Sequence, residues 1–322
     1  MKTHPNFLKL IGTLAIIFIT SSLFYACNPA PINNQAPPLR TLISKTIVTA
    51  TITSTTYTNA TTNTPTPTTT PSPILIEALS PSPTTSGCKE QVGRIEKGSL
   101  TTVQLEEPLD YYVYLPPCYD ERLDEKYPVL YLIHGLGFTN DQWIRLGAAE
   151  KSDKLIAEGK IPPLIIVFPH DRLQLWPNHD NFGEVLVNEL VPLIDQNYRT
   201  IPDREKRSIG GLSRGASWAV HLGLKYWELF GSIGGHSLPI FLKDPDNIQK
   251  WLREIPPRQY PRFYLDIGDR DPQQIMTAAL WFEKLLTEEN VPHEWYLNIG
   301  THEESYWSKH VEEYIRWYTA EW

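Results

Sequence analysis

The sequence lacks the residue patterns that bind metals, phosphates and nucleic acids. Its nine histidines and three cysteines do not fall at the spacing of a metal-ligand set, and no Gly-rich phosphate loop is present. The formal net charge of −8 argues against nonspecific nucleic-acid binding, which needs a basic surface. We therefore predict no metal, no cofactor and no nucleic-acid partner.

Residues 28–87 have too few apolar residues to form a core. Threonine, proline, serine and asparagine dominate this segment, as in TPTPTTTPSP at Thr64–Pro73, and its charged residues are Arg40, Lys45 and Glu77. The prolines keep such a chain extended. The segment is predicted to be a disordered tether.

The first 27 residues have the pattern of an export signal. Lys2 and Lys9 precede the apolar run Leu10–Ile19. Ala26 and Cys27 then resemble a bacterial lipoprotein cleavage site, which would make Cys27 the lipidated first residue of a cell-surface lipoprotein. A plain signal peptide of a secreted protein, or an uncleaved anchor, remains an alternative. Membrane contact is expected only through this N-terminal part.

Residues 88–322 are enough for one α/β domain with a full core. Two cysteines, Cys88 and Cys118, lie within it, and export favours a disulfide between them. Two unpaired thiols are the alternative. Neither cysteine has the setting of a nucleophile.

The most informative segment is RSIGGLSRGASWAVHLGL, at Arg207–Leu224. It places Ser213 between Gly211 and Gly215, where a short apolar strand runs into an apolar helix. In this arrangement a strained turn with small flanking residues raises the serine hydroxyl above the sheet. The segment predicts acyl chemistry at Ser213.

An upstream strand and turn supply a candidate oxyanion hole. The near-continuous apolar run Tyr127–Gly137 ends in His-Gly-Leu-Gly. A tetrahedral intermediate carries negative charge on its oxygen, and two backbone N–H groups usually stabilise it. We assign these to Leu136 and Arg214. The alternative is that Gly135 and Gly137 only turn the chain.

A carboxylate is expected in the loop after a later strand. The predicted strand Arg262–Ile267 ends at Gly268, which leaves Asp269 and Asp271 in the following loop. Asp271 is the preferred candidate to orient a histidine, with Asp269 in reserve. Asp266 lies within the strand pattern and is not expected to reach the site.

The candidate base follows one more helix and strand. Ile275–Leu286 has helical spacing, and His293–Ile299 alternates like a strand. His302 then lies in a loop at a strand end, where functional residues concentrate in parallel α/β sheets. Its position completes the chain order Ser, Asp, His. Chain order and loop placement favour His302 over His310, which is expected on the last helix, over His236, which follows the strand after the nucleophile helix, and over His134, which ends the oxyanion strand.

Several motifs in this order resemble the esterase family of α/β-hydrolases that includes esterase D (S-formylglutathione hydrolase), feruloyl and acetyl xylan esterases, enterochelin esterases and mycolyltransferases. The matching segments, between about Leu109 and Trp317, are VYLPPCYD (Val113–Asp120), YPVLYLIHGLG (Tyr127–Gly137), ELVPLIDQNYRT (Glu189–Thr200), RSIGGLSRGA (Arg207–Ala216), GDRD (Gly268–Asp271) and GTHEESYW (Gly300–Trp307). The resemblance implies an α/β-hydrolase fold, with a mostly parallel central sheet and helices on both faces.

The resemblance also implies roles for individual residues. Ser213 would be the nucleophile, His302 the general base and Asp271 its orienting acid, in a serine esterase acting on carboxylic esters, among them acyl esters of carbohydrates. Many relatives read GLSMGG where this chain reads GLSRGA. The Arg214 side chain would favour an anionic or polar acyl group, unless it points into solvent or pairs with an acid.

Two other functions stay open from the sequence. An acyltransferase acting on cell-envelope sugars or lipids would use the same triad, because either water or another alcohol can accept the acyl group. A noncatalytic surface-binding protein is the second alternative. The acyl group is not predicted, since variable loops build the pocket.

Two of the ten tryptophans are candidates for substrate binding. Trp143 follows the oxyanion turn, and Trp176 lies in the loop PHDRLQLWPNHDN. Both could line an aromatic or sugar-binding cleft, with packing in the core or at its rim as the alternative.

Overall fold

Eight strands form one sheet in the computed structural model, which describes residues 88–322. The predicted signal and tether, with Cys27, lie outside the described residues. The strands are β1 (Arg94–Leu100), β2 (Leu109–Leu115), β3 (Val129–Ile133), β4 (Ile165–Pro169), β5 (Arg207–Leu212), β6 (Ser232–His236), β7 (Arg262–Gly268) and β8 (Glu294–Asn298). Their order across the sheet is β1-β2-β4-β3-β5-β6-β7-β8.

Helices connect the strands and cover both faces of the sheet. They are α1 (Gln142–Arg145), α2 (Ala148–Ala157), α3 (Phe182–Val185), α4 (Val191–Asn197), α5 (Arg214–Lys225), α6 (Asp244–Glu254), α7 (Gln273–Glu288) and α8 (Glu304–Thr319). A π-helical turn, Leu186–Leu190, joins α3 to α4. Residues of α3 to α7 pack in a core on one face. Residues of α1, α2 and α8 pack in a second core on the other.

The central strands are apolar because both of their faces are covered. Every residue of β3, β4, β5 and β6 is buried. From β4 through β8 neighbouring strands pair in parallel, whereas β1 with β2 and β2 with β4 pair antiparallel. Parallel pairing with buried, apolar strands is typical of α/β proteins. The predicted fold class, an α/β-hydrolase with a mostly parallel sheet, is confirmed.

The strand ends determine which loops can meet. Within the apolar run Tyr127–Gly137, β3 covers Val129–Ile133, and the predicted His-Gly-Leu-Gly turn follows directly at His134. β5 ends directly before Ser213, and β7 extends to Gly268. These strands run parallel, so their carboxyl ends lie along one edge of the sheet, where ligands bind in open α/β folds.

A disulfide closes the start of the domain. Cys88 and Cys118 are bonded, with 5.5 Å between their Cα atoms and a sequence separation of 30. The bond ties the first described residue to the loop between β2 and β3. The predicted pairing is therefore present in the structure.

Candidate active site

Ser213 occupies a strained turn between β5 and α5. Its backbone has φ 52° and ψ −123°, a conformation that costs a non-glycine residue roughly 1–3 kcal/mol. A Cβ atom at Gly211 would lie 2.2 Å from the carbonyl carbon of Gly215, and one at Gly215 would lie 2.0 Å from the Ile133 oxygen. The two glycines are thus required by close backbone contacts around the serine.

His302 and Asp271 lie beside Ser213 and complete a hydrogen-bonded chain. The His302 Nε2 atom is 2.8 Å from the Ser213 Oγ, and its Nδ1 is 2.9 Å from the Asp271 Oδ2. The Asp271 side chain is fully buried, whereas 20% of the His302 side chain is exposed. The indole ring of Trp307 packs edge-on against the imidazole, with 4.9 Å between ring centroids. The histidine is therefore held between an aromatic ring and a buried carboxylate.

The two other aspartates of this region have different positions. The Asp269 Oδ1 accepts a hydrogen bond of 3.0 Å from the backbone N–H of Gly300, so this side chain holds the loop that carries His302. Asp266 is buried in β7, where it binds His236 at 2.7 Å and accepts hydrogen bonds from Tyr306 and Tyr314. Of the three aspartates, Asp271 is the one that contacts His302.

The predicted oxyanion loop presents one unpaired backbone N–H. The N–H of Gly135 donates to Gln142 Oε1 and that of Gly137 to Gln174 Oε1, each at 2.8 Å. Among the described residues, the N–H groups of Leu136 and Arg214 have no hydrogen-bond partner. The second of these begins α5, where the helix dipole adds partial positive charge. Both predicted donors are thus available to an anionic oxygen.

The Arg214 side chain is buried and paired with a carboxylate, so it is not a free cation. Its Nε donates to Asp171 Oδ2 at 2.7 Å, and its guanidinium also donates to the Leu175 carbonyl. Only 9% of the Arg214 side chain and 1% of the Asp171 side chain are exposed. The hypothesis that it selects an anionic acyl group is therefore replaced by the alternative, pairing with an acid.

Asp171 connects the nucleophile turn to the oxyanion loop. Its Oδ2 also accepts from Trp218 Nε1 at 2.8 Å, its Oδ1 accepts from the Gln174 N–H at 3.1 Å, and its own N–H donates to His134 Nε2 at 3.0 Å. Burial lowers the pKa of His134 to about 4, which keeps the ring neutral and able to accept this bond. Asp171 lies just beyond the end of β4, and recognising that strand would have drawn attention to it.

The interpretation of Trp143 as a cleft residue is wrong. Its side chain is 1% exposed, its Nε1 donates to the Ile133 carbonyl at 3.0 Å, and it packs against His236 and Tyr314. An indole whose N–H finds a backbone partner is readily buried. Trp143 therefore anchors the segment after the oxyanion turn to the end of β3, within the core.

Trp176 lies at a cavity, as one of the two sequence interpretations expects. Its side chain is 48% exposed and borders a cavity of about 360 Å³ that α5 also lines. Neither Ser213 nor His302 is among the residues that line this cavity. His221 and Asp244, which sequence reasoning did not single out, form a buried pair in its wall.

Two negative observations apply to residues 88–322. In this part of the chain no group of three or more histidine, cysteine, aspartate or glutamate side chains could hold a metal ion. No helix in the same region has the length and apolar character needed to cross a membrane.

A sequence profile of the family described as "Putative esterase" matches residues 102–320, more than half of the chain. The chain belongs to this esterase family. Its eight-stranded, mostly parallel sheet with helices on both faces agrees with this membership.

The esterase-family chain is similar to two curated proteins over part of its length. It is 36% identical over 152 residues to an endo-1,4-beta-xylanase/feruloyl esterase of Xylanibacter ruminicola. The aligned residues make up 42% of this chain and 21% of the relative. It is 33% identical over 129 residues to Esterase Rv1288 of Mycobacterium tuberculosis. This alignment covers 36% of this chain and 26% of the relative. The chain thus matches about a quarter of the length of these relatives.

Solved structures of similar fold cover most of the esterase-family domain. A ferulic acid esterase superposes with a TM-score of 0.64 at 25% identity, covering 72% of this chain and 99% of that one. A ferulic acid esterase from Anaeromyces mucronatus, solved with ferulic acid, gives a TM-score of 0.60 at 21% identity, covering 70% and 90%. The second comparison supports the fold alone.

Proposed function

We propose that this protein is an exported serine esterase that hydrolyses carboxylic esters through Ser213, His302 and Asp271. The observation that carries the proposal is the hydrogen-bonded chain from the Ser213 Oγ through both nitrogens of His302 to the buried Asp271 carboxylate. A serine hydroxyl needs an adjacent base to act as a nucleophile, and the base needs a third group to orient it. Membership of an esterase family agrees with this chemistry.

The mechanism follows from the contacts of these three side chains. As the Ser213 Oγ attacks the ester carbonyl, His302 Nε2 takes its proton and then gives it to the departing alcohol. Asp271 accepts a hydrogen bond from Nδ1, which fixes the tautomer and stabilises the imidazolium. A water molecule, activated by the same histidine, then hydrolyses the acyl-enzyme.

The developing oxyanion is assigned to the N–H groups of Leu136 and Arg214. These donors are fixed in place before the reaction, so they stabilise charge without reorganisation. The backbone N–H groups of Gly135 and Gly137, on either side of Leu136, donate to the Oε1 atoms of Gln142 and Gln174 and so hold this loop in place.

Acyl esters of carbohydrates are the proposed substrate class. A curated relative is named an endo-1,4-beta-xylanase/feruloyl esterase, and a structural neighbour is named a ferulic acid esterase. Trp176, half-exposed at the cavity along α5, offers an aromatic surface for a ring of the substrate.

Export is proposed from the N-terminal sequence and the disulfide. The Lys2 and Lys9 residues followed by Leu10–Ile19 suit an export signal, and lipidation at Cys27 would hold the domain at the cell surface through the 28–87 tether. A bonded Cys88 and Cys118 agree with an oxidising compartment.

The test is hydrolysis of nitrophenyl acetate, acetylated xylan and feruloyl esters by residues 88–322. The Ser213→Ala variant is expected to lose activity on every substrate that the parent cleaves. Ser208→Ala is the matched control, because Ser208 is a buried serine of β5 whose hydroxyl has no partner among the described residues. Retention of parental activity by Ser213→Ala would exclude the proposal. Repeating the assay with an added alcohol measures how much of the acyl group is transferred to that alcohol instead of to water.

A further inference from the structure

A polar bridge connects the oxyanion loop to the helix that follows His302. The side chain of Gln142, fully buried in α1, accepts the Gly135 N–H through its Oε1 at 2.8 Å and donates from its Nε2 to Glu304 Oε1 at 3.1 Å. Gly135 directly precedes Leu136, one of the two assigned oxyanion donors. Glu304 begins α8, two residues after His302. One carboxamide therefore joins the loop of the oxyanion hole to the segment that carries the base.

The two partners fix the orientation of the Gln142 carboxamide. The backbone N–H of Gly135 can only donate, and the ionised carboxylate of Glu304 can only accept. Turning the amide over would set two donors against each other at one end and two acceptors at the other. Because a buried polar group left unpaired is costly, the carboxylate of Glu304 determines that Oε1 of Gln142 faces the Gly135 N–H.

A cation holds the Glu304 carboxylate in place for this contact. Arg145 Nη1 binds Glu304 Oε2 at 3.0 Å, and its Nε binds Asp141 Oδ2 at 2.9 Å. The two oxygens of Glu304 thus have different partners, an amide and a guanidinium, which restricts rotation of the carboxylate. The side chains of Arg145 and Glu304 are 44% and 34% exposed, so their ion pair adds little to the stability of the fold. Its effect is on the direction of the carboxylate.

Packing of α1 against α8 does not depend on this bridge. Trp143 of α1 contacts Tyr314 of α8, with 6.3 Å between ring centroids. The Ser308 hydroxyl, also on α8, donates to the Leu146 carbonyl at 3.2 Å. These contacts remain when Glu304 is replaced. A substitution at Glu304 is therefore expected to alter the oxyanion loop without unfolding the domain.

We propose that Glu304 is a positioning residue of the oxyanion hole and acts through Gln142. The inference rests on the proposed esterase function. Among residues 88–322, Glu304 forms no hydrogen bond with the three residues of the triad. Its carboxylate orients the Gln142 amide, and this amide fixes the Gly135 N–H and with it the direction of the next peptide, which carries the Leu136 N–H. Because the oxyanion forms only as the ester reacts, loss of this alignment should lower kcat rather than raise KM.

The kinetic test replaces the acceptor at the outer end of the bridge. Loss of a whole oxyanion donor lowers kcat about 10²–10³-fold, and Glu304→Leu misaligns the donor without removing it, so kcat on nitrophenyl acetate should fall about five- to twentyfold. Affinity for a boronic acid that mimics the tetrahedral intermediate should fall by the same factor. Glu304→Gln keeps an oxygen that can accept from Gln142 and should recover part of both losses. The pH at which kcat/KM declines on the acid side should stay at the parental value. A shift of that pH would mean that Glu304 acts on His302 by its charge, and would overturn the proposal.

A second acid on the same helix provides the matched control. Glu312 of α8 is 32% exposed and binds Lys154 of α2 at 3.2 Å. Glu312→Leu should leave kcat and boronic acid affinity per folded molecule at the parental values. Equal values in Glu304→Leu and Glu312→Leu would overturn the proposal.

A double variant tests whether Glu304 acts through Gln142. Gln142→Met removes both hydrogen bonds of the bridge, so adding Glu304→Leu should cause no further loss of kcat. Additive losses would overturn the proposal. Its failure is distinguishable from failure of the esterase assignment: parental kcat in Glu304→Leu with an inactive Ser213→Ala would reject the positioning role alone, whereas an active Ser213→Ala would reject the catalytic assignment.

Discussion

Replacing Asp171 by Asn should impair catalysis more than the loss of stability explains. The two carboxylate oxygens accept from opposite sides, Oδ2 from Arg214 and Trp218 and Oδ1 from the Gln174 N–H. An asparagine has one acceptor oxygen, so its NH₂ group must face donors on one side. The Arg214 guanidinium would then be buried without a compensating charge.

The size of the effect can be worked from the burial of this ion pair. With side chains 9% and 1% exposed, removing one partner should cost about 3–5 kcal/mol in the free energy of unfolding. Loss of one oxyanion donor typically lowers kcat by about 10²–10³. Asp171→Asn should displace the Arg214 backbone without removing its N–H, so we expect kcat to fall about 10- to 100-fold per folded molecule.

A second buried ion pair provides the control. Arg207 binds Asp195 at 2.6 Å, with the arginine side chain 4% exposed. Arg207 begins β5 and Ser213 follows its end, so the pair lies roughly 20 Å from the nucleophile along the strand. Asp195→Asn should lower stability but leave kcat per folded molecule at the parental value.

The assay combines urea unfolding with steady-state kinetics on nitrophenyl acetate, normalised to the folded fraction at the assay temperature. Affinity for a boronic acid that mimics the tetrahedral intermediate should fall in parallel with kcat/KM in Asp171→Asn. If Asp171→Asn and Asp195→Asn show the same kcat per folded molecule, the link from Asp171 to the oxyanion hole is refuted.

Three further predictions concern other contacts of the domain. Asp271→Asn should lower kcat by several orders of magnitude because it disturbs the tautomer of the base, whereas Asp269→Asn should have a mild effect. If steady-state kinetics gave the reverse order, Asp269 and not Asp271 would be the carboxylate that orients His302. Reducing the Cys88–Cys118 disulfide should lower the unfolding free energy by about 3–4 kcal/mol in the chain-entropy model, and equal urea midpoints with and without reductant would contradict this. The pKa of His134 is lowered in the folded state, so the unfolded chain binds a proton more readily. The contribution of His134 to the free energy of unfolding is therefore complete above about pH 6.5 and is lost towards pH 4, by up to about 1.4 kcal/mol per pH unit. In His134→Gln this part of the pH dependence should vanish, as measured by urea unfolding at about pH 5 and about pH 7.

Sequence reasoning was most successful where a local pattern has one structural interpretation. The glycines around Ser213 require a tight turn, and the strand ends before Asp271 and His302 place both residues at one edge of a parallel sheet. The distances between these side chains, 2.8 and 2.9 Å, come from the fold and could not be read from spacing.

Other features depend on tertiary contacts that no short motif records. Trp143 is a core residue because the Ile133 carbonyl satisfies its indole N–H. Asp171 gains its importance from Arg214, 43 residues later in the chain. The pairing of His221 with Asp244 spans 23 residues. These partners become visible only when the helices and loops around the sheet are placed.

The most direct test of the account is to trap the acyl-enzyme and locate the acyl group. Acid-quenching the domain shortly after mixing with nitrophenyl acetate, followed by peptide mass spectrometry, should show one acetyl group on the peptide that contains Ser213. We predict that this adduct is absent in Ser213→Ala and forms far more slowly in His302→Gln. Acetylation at another residue, in step with product release, would contradict it.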